Sequence, residues 1–207
     1  MENNLLWLFW IGGEFLLGGV MFSQLVPKLL GKGDVGRDSD DHNPGAANVF
    51  CLCGVPLGVL CLLLDLLKGF VPVFLAKDLL DPRSLLFAGV IAAPVLGHAA
   101  GVFNRFRGGK CIATAFGALA ALLPETWIVC LLAGLYIFFS TLVKVQPMRR
   151  RSLLVFTLFG ITAFGYLTVT GRLPQALGCG IVGAVAAFRH RRPLPEEPLL
   201  RGKRAVR

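Results

Sequence analysis

Seven apolar runs take up most of this chain: Leu5–Val26, Val49–Ala76, Ser84–Phe103, Cys111–Leu123, Thr126–Val143, Leu153–Val169 and Gln175–Phe188. A helix needs roughly 20 apolar residues to cross a bilayer, so the runs predict an all-α, polytopic membrane protein of about seven transmembrane helices. The fourth run is short, and the sequence leaves open whether it crosses, tilts, or is buried or re-entrant. Composition agrees with a bilayer solvent. Of 207 residues 55% are hydrophobic and only 16% charged, with a mean hydropathy of +0.70, whereas soluble domains carry about a quarter charged residues. The first run follows Met1-Glu2-Asn3-Asn4. It lacks the basic start of a signal peptide and is too long for one, so it reads as a retained span. The expected organisation is one transmembrane domain over residues 1–188 and a basic cytoplasmic tail over 189–207, with no internal repeat. The six cysteines lie in or beside apolar runs and read as small buried hydrophobes, and no metal site is expected.

Orientation follows from the cations. The loops after the first, third and fifth runs, together with the tail, hold all of the 21 Lys and Arg except Lys68, Lys77, Arg83 and Arg172. By the positive-inside rule these loops are cytoplasmic, which places the N-terminus outside and the C-terminus inside.

On that topology three runs begin at the cytoplasmic face, and each is preceded by an unusual sequence: Asn43-Pro44-Gly45-Ala46-Ala47-Asn48, Arg105-Phe106-Arg107-Gly108-Gly109-Lys110 and Arg149-Arg150-Arg151-Ser152. Helix starts present free N–H groups and partial positive charge, and Lys or Arg adds full charge, so the three together suit phosphate. Each has a plainer reading as well. Asn-Pro-Gly makes turns, Ser152 suits a helix cap, and the arginine run anchors a span. The paired glycines lack Walker-loop spacing, which gives nucleotide hydrolysis no support. His98 and His190 fall at the same face, where an imidazole can donate to phosphate or exchange a proton. Asp65 and Lys68, three residues apart in an apolar run, read as a structural ion pair, and Glu14 as a similar case. Gly12, Gly13, Gly18 and Gly19 are expected to permit close helix packing.

These motifs resemble those of the bacterial acyl-phosphate:glycerol-3-phosphate acyltransferases, a seven-span membrane family. Leu96-Gly97-His98, Phe103, Phe106, Arg107-Gly108-Gly109-Lys110 and Ala113-Thr114 are similar to the family's G-H-x-x-P-x-F-x-x-F-K-G-G-K-G-x-A-T. Asn43-Pro44-Gly45-Ala46-Ala47-Asn48-Val49 resembles its G-S-G-N-x-G-A-T-N-V, and Leu64-Asp65-Leu66-Leu67-Lys68-Gly69 its L-D-x-x-K-G. Arg151-Ser152-Leu153 and Arg189-His190-Arg191 match shorter motifs. The resemblance implies acyl transfer from acyl phosphate to glycerol 3-phosphate, giving lysophosphatidic acid in the bacterial cytoplasmic membrane. It requires no cofactor. The implied catalytic residues are His98, Lys110, Ser152 and His190, and the substrate-binding residues Asn43, Gly45, Asn48, Arg107, Gly108 and Gly109. Acyl phosphate, glycerol 3-phosphate and membrane lipids are the expected partners, and nucleic acid is not.

The chain departs from the family pattern at specific positions. Asp41, His42 and Ala47 stand where the pattern has Ser, Gly and Thr, and Cys51 stands where it has Arg. Gly101 replaces Pro, Cys111 replaces Gly, and the Asn expected after Arg191 is missing. A carboxylate at 41 repels phosphate unless a cation intervenes. Three readings therefore stay open: the family reaction, with glycerol 3-phosphate or an altered acceptor, a non-catalytic membrane paralogue that binds lipid or regulates an active enzyme, and a small-anion transporter.

Overall fold

The computed structural model describes residues 4–191, and every element among them is helical. The helices are α1 (Asn4–Gly19), α2 (Phe22–Leu29), α3 (Val35–Asp38), α4 (Ala46–Cys53), α5 (Val55–Leu79), α6 (Phe87–Ala100), α7 (Ile112–Ala120), α8 (Ile128–Ile137), α9 (Met148–Val169) and α10 (Leu173–Arg189). A 3₁₀ turn (Val102–Asn104) follows α6, and a π turn (Phe138–Leu142) extends α8. The basic tail expected over 189–207 lies, beyond Arg191, outside the described residues.

The apolar runs map onto these elements with breaks that hydropathy does not reveal. By length and composition α5, α6 with its 3₁₀ extension, and α9 are able to cross a membrane, and the α1–α2 pair makes a fourth span if counted as one. The first run is bent by 51° between α1 and α2. The freed Val20 carbonyl at this elbow accepts a hydrogen bond from Lys68 Nζ at 2.6 Å.

The second run is divided at Gly54, whose φ of +89° is open only to residues without a Cβ at low cost. Helix α4 folds back there onto α5, and Phe50 covers Gly58 so closely that a Cβ at 58 would stand 2.4 Å from the ring. This corrects the sequence reading of Asn43–Asn48: the motif heads the eight-residue α4, not the long spanning helix. The fourth run is shorter still. Helix α7 has nine residues, about 13 Å of rise, and packs as a buried half-helix against α5.

Without a hydrophobic force between helices in lipid, small residues that let backbones approach become the contact points. Gly18 of α1 sits on Pro94 of α6, and Gly97 of α6 on Phe15 of α1. Gly69 and Gly117 join α5 to α7 in the same manner, and Gly160 meets Gly183 between α9 and α10. Gly12 and Gly13 face open space, contrary to the packing role expected of them. The outward surface carries Phe9, Leu63, Ile161 and Val169, the last 89% exposed, as befits a lipid-facing belt.

Inside the bundle the Asp65–Lys68 pair is formed at 2.8 Å, and Ser23 Oγ donates to Asp65 at 2.7 Å. Glu14 differs from the paired-cation expectation: its carboxyl accepts from the Trp10 indole N–H at 3.0 Å.

Candidate active site

The sequence from Gly101 to Cys111 is folded back on the end of α6. Gly101 takes a left-handed conformation (φ +59°) and donates its N–H to the Gly97 carbonyl at 2.8 Å, closing the helix. Arg105, Phe106 and Cys111 also have positive φ, a backbone strain that L side chains tolerate only when the surroundings fix it. Gly108 and Gly109 lie directly on α6. A Cβ at 108 would stand 2.0 Å from the Ala99 carbonyl oxygen, and one at 109 would stand 2.2 Å from His98 Nε2.

Arg189, at the last turn of α10, holds this loop from the other side. Its Nε donates to the Gly109 carbonyl at 3.0 Å, and its terminal nitrogen donates to the Gly108 carbonyl. The Gly109 N–H is engaged with the His98 carbonyl at 3.1 Å. The glycines are thus needed for close approach to α6, and the Gly109 amide is not offered to a ligand as the sequence reading supposed.

Lys110 leaves this loop just before α7, whose first N–H groups have no side-chain cap. Its Nζ is 2.5 Å from Asp41 Oδ2, with both side chains a little under one-third exposed. The other Asp41 oxygen accepts from Asn48 Nδ2 at 2.7 Å and from the Asn43 N–H at 3.1 Å. Asn48 Nδ2 is shared with the Asn43 carbonyl at 2.7 Å, and Gly45 leaves room for the Asn43 amide. Burial pushes the Asp41 carboxyl up, but the hydrogen bonds from Lys110 and Asn48, the Lys110 charge and the Asn43 N–H outweigh it. The carboxyl is held below its ordinary range. The cation that the sequence reading requires beside a carboxylate at 41 is therefore Lys110.

His190 caps α10 and is buried. Its Nδ1 lies 2.7 Å from the Ala186 carbonyl. A carbonyl only accepts, so the proton is on Nδ1 and the buried Nε2, which has no hydrogen-bond partner among the described residues, keeps its lone pair. Phe156 stacks on the ring at 6.1 Å, and Arg149 Nε donates to the His190 carbonyl at 2.7 Å. Burial lowers the imidazole's proton affinity. The Ala186 bond opposes this, while the charges of Lys110, Arg149 and Arg189 reinforce it. Ser152 lies on α9 one turn before Phe156, fully buried, with the Tyr136 phenol as its hydroxyl's neighbour. His98 Nδ1 is buried and has no hydrogen-bond partner among the described residues. Ser152 is inside α9, whose N-cap is Pro147, so it is not a helix cap.

Beside this cluster runs an apolar cleft of about 1000 Å³ between α1, α6, α9 and α10, lined by residues such as Phe15, Leu96, Ile161, Phe164 and Ala184. Arg189 and Arg191 stand at its end. Arg107 is placed elsewhere. It lines a polar pocket of about 310 Å³ with Lys28, Arg105 and Asn104, and Lys110 does not line that pocket. The structure therefore gathers His98, Gly108, Gly109, Lys110, His190, Asn43, Gly45 and Asn48 through Arg189 and Asp41, while Arg107, next to Gly108, lines a different pocket. Sequence reasoning missed Arg189 as the clamp on the loop and Arg149 as the hold on the end of α10, because both sit in basic runs that membrane anchoring explains equally well.

Comparison with known proteins gives a consistent picture. The family model described as Glycerol-3-phosphate acyltransferase matches residues 8–196. The glycerol-3-phosphate acyltransferase of Aquifex aeolicus is 37% identical over 187 residues, 89% of this chain and 91% of that protein. That of Geotalea daltonii is 35% identical over 184 residues, 86% and 87% of the two chains. The match to the Maridesulfovibrio salexigens protein, 38% identical over 120 residues, spans 58% of this chain and 60% of that one. Among solved structures, the glycerol 3-phosphate form of PlsY (YgiH), an integral membrane glycerol 3-phosphate acyltransferase, superposes with a TM-score of 0.73. It is 32% identical and covers 89% of this chain and 88% of its own. The lysophosphatidic acid form of the same protein gives 0.72 at the same identity and coverage.

Proposed function

Because this chain belongs to the glycerol-3-phosphate acyltransferase family, we propose that it transfers a fatty acyl group from acyl phosphate to the first hydroxyl of glycerol 3-phosphate, releasing lysophosphatidic acid and phosphate. In this reading it is a multi-pass protein of the bacterial cytoplasmic membrane, with about seven spans, its N-terminus outside and its site on the cytoplasmic face. The observation that carries the reading is the continuity of an apolar cleft with a basic cluster: Arg189 both lines the cleft and clamps the loop that bears Lys110. An acyl tail has an apolar seat there, and its phosphate end meets cations.

The chemistry needs little from the protein beyond placement. Acyl phosphate is a mixed anhydride with a good leaving group, so the acceptor hydroxyl attacks the acyl carbonyl, the C–O bond to phosphate breaks, and no acyl-enzyme is required. Holding the two reactants together and offsetting the charge that develops on the leaving phosphate supply the acceleration. Lys110 is the cation for phosphate, assisted by the uncapped N–H groups of α7. His190, neutral and with a bare Nε2, is suited to orient the acceptor hydroxyl and take its proton. His98, packed against Gly109, and Ser152, one turn before Phe156, add buried polar groups to this arrangement. Asn43, Gly45 and Asn48 shape the acceptor side, and Gly108 and Gly109 set the height of Lys110 above α6. Arg107, with Lys28 and Arg105, forms a basic approach for anionic substrates.

The deciding experiment is an assay of the purified protein in detergent with palmitoyl phosphate and glycerol 3-phosphate, reading phosphate release and acylated product together. Lys110→Ala is expected to lower kcat/KM by about 10²–10³, the effect of removing one charge-stabilising donor. Equal turnover by the variant would exclude Lys110 as the phosphate cation. Absence of turnover in the wild-type chain would overturn the acyltransferase reading.

A further inference from the structure

Asp41 introduces an anion where the proposed function needs an anion to bind. The Lys110 ammonium is 2.5 Å from Asp41 Oδ2, and Asp41 is fixed in turn by Asn48 and the Asn43 N–H through its second oxygen. Both side chains remain partly accessible, at 29% for Lys110 and 28% for Asp41, so a ligand from the aqueous side reaches the ammonium only beside the carboxylate. We propose that Asp41 is a resident counter-ion of Lys110 that an incoming phosphate must displace, and so sets how strongly this chain discriminates among phosphate-bearing substrates by charge. The proposal rests on Lys110 being the phosphate cation of the acyltransferase reading.

The physical argument is competition at one cation. A phosphate and a carboxylate on the same ammonium repel each other, so binding requires Asp41 to turn away from Nζ. The loop has a second hold that lets it do so: Asn48 Nδ2 keeps the Asn43 carbonyl at 2.7 Å when it loses Asp41. Removing the carboxylate charge leaves Lys110 without a competing anion, which favours phosphate in the ground state and in the transition state alike. Such uniform binding appears in KM, with kcat little affected. Asp41 is therefore a specificity-determining residue that acts through Lys110, not a group that takes part in the chemistry.

The test compares wild type with Asp41→Asn, Asp41→Ser and Asp41→Glu. Asp41→Asn keeps one oxygen for Asn48 and the Asn43 N–H while abolishing the charge, so it separates charge from loop structure. The expected result is a KM for palmitoyl phosphate, whose phosphate Lys110 holds, lowered about tenfold in Asp41→Asn and Asp41→Ser, about 1.4 kcal/mol. The inhibition constant of inorganic phosphate should fall in parallel, with Asp41→Glu close to wild type. An unchanged or raised KM in Asp41→Asn with a normal unfolding midpoint overturns the proposal, as does a collapse of kcat in both neutral variants. If the wild-type chain has no acyltransferase activity, titration of inorganic phosphate into wild type and Asp41→Asn by calorimetry decides the matter separately. Tighter binding by the variant supports the counter-ion role, and equal binding removes it.

Discussion

Gly109 and the His98 imidazole are in direct contact: a Cβ at 109 would stand 2.2 Å from Nε2, while the Gly109 N–H donates to the His98 carbonyl at 3.1 Å. The loop that carries Lys110 therefore gets its position from a residue with no side chain resting against the Nε2 edge of the ring.

Gly109→Ala is accordingly expected to push the loop away from α6 and displace Lys110, costing about 1–3 kcal/mol of stability as an overpacked contact. Activity should fall by about 10²-fold, since ångström-scale misplacement is enough to do so. The check is a double-mutant cycle on unfolding midpoints with His98→Ala. With the ring gone the alanine at 109 has room, and a coupling of about 1–3 kcal/mol should appear. Strictly additive effects would show that the ring is not what excludes a side chain there.

The Asp65–Lys68 pair is a clamp on the α1–α2 elbow. Lys68 bridges Asp65 and the Val20 carbonyl, and Asp65 accepts from Ser23 at the start of α2. Lys68→Met removes one charge and leaves Asp65 buried without its cation, so it is expected to destabilise by about 3–5 kcal/mol. The double variant Asp65→Leu, Lys68→Met should lose less than Lys68→Met alone. Thermal unfolding in detergent measures both, and a double variant no more stable than the single would contradict the clamp.

The helical class and the positions of α5, α6, α9 and α10 were legible because lipid demands long apolar helices, and such stretches stand out in any hydropathy reading. The breaks were not. The Val20–Met21 elbow exists because Lys68, 48 residues away, takes up a freed carbonyl, and no local signal announces that. Gly54 reads as an ordinary small residue in an apolar run until α4 is seen folded back on α5. At the site, sequence spacing found Lys110, His98 and His190, but it read Gly108-Gly109 as an anion cradle. Their function as a close-packing step depends on the depth of α6, which spacing does not encode. Arg107 and Lys110, three residues apart, were read as one cradle. Gly108 and Gly109, seated on α6, lie between them, and Arg107 lines a different pocket with Lys28 and Arg105.

His190 supplies a pH prediction. Its proton affinity is lowered by burial and by Lys110, Arg149 and Arg189, against the raising effect of the Ala186 bond. A histidine has an unperturbed pKa of about 6.5. Below that pH the unfolded chain binds a proton that the folded chain refuses, so stability is full above it and is lost as pH falls towards the folded value. The wild-type unfolding midpoint should drop more between pH 7.5 and 5.5 than that of His190→Asn, which retains a donor for the Ala186 carbonyl but does not titrate. An identical drop in the two proteins would assign the acid sensitivity to other groups.

The last prediction concerns the apolar cleft. Ala184 of α10 lines it and is exposed to it, opposite helices that contribute Phe15, Leu96 and Ile161. Its methyl group supports no packing that a larger side chain would disrupt, so Ala184→Phe is expected to fold normally and to occupy part of the 1000 Å³ cleft. Each methylene of an acyl chain contributes about 0.8 kcal/mol on burial. A chain that loses three or four methylenes of contact should therefore lose about 10²-fold in binding. The variant should thus discriminate against palmitoyl phosphate while retaining activity with a donor of eight to ten carbons (about the length the remaining cleft still covers). The measurement is the ratio of kcat/KM for long and short acyl phosphates. If that ratio is the same in wild type and Ala184→Phe, the acyl chain lies outside this cleft, and Arg189 at its end then serves the loop alone.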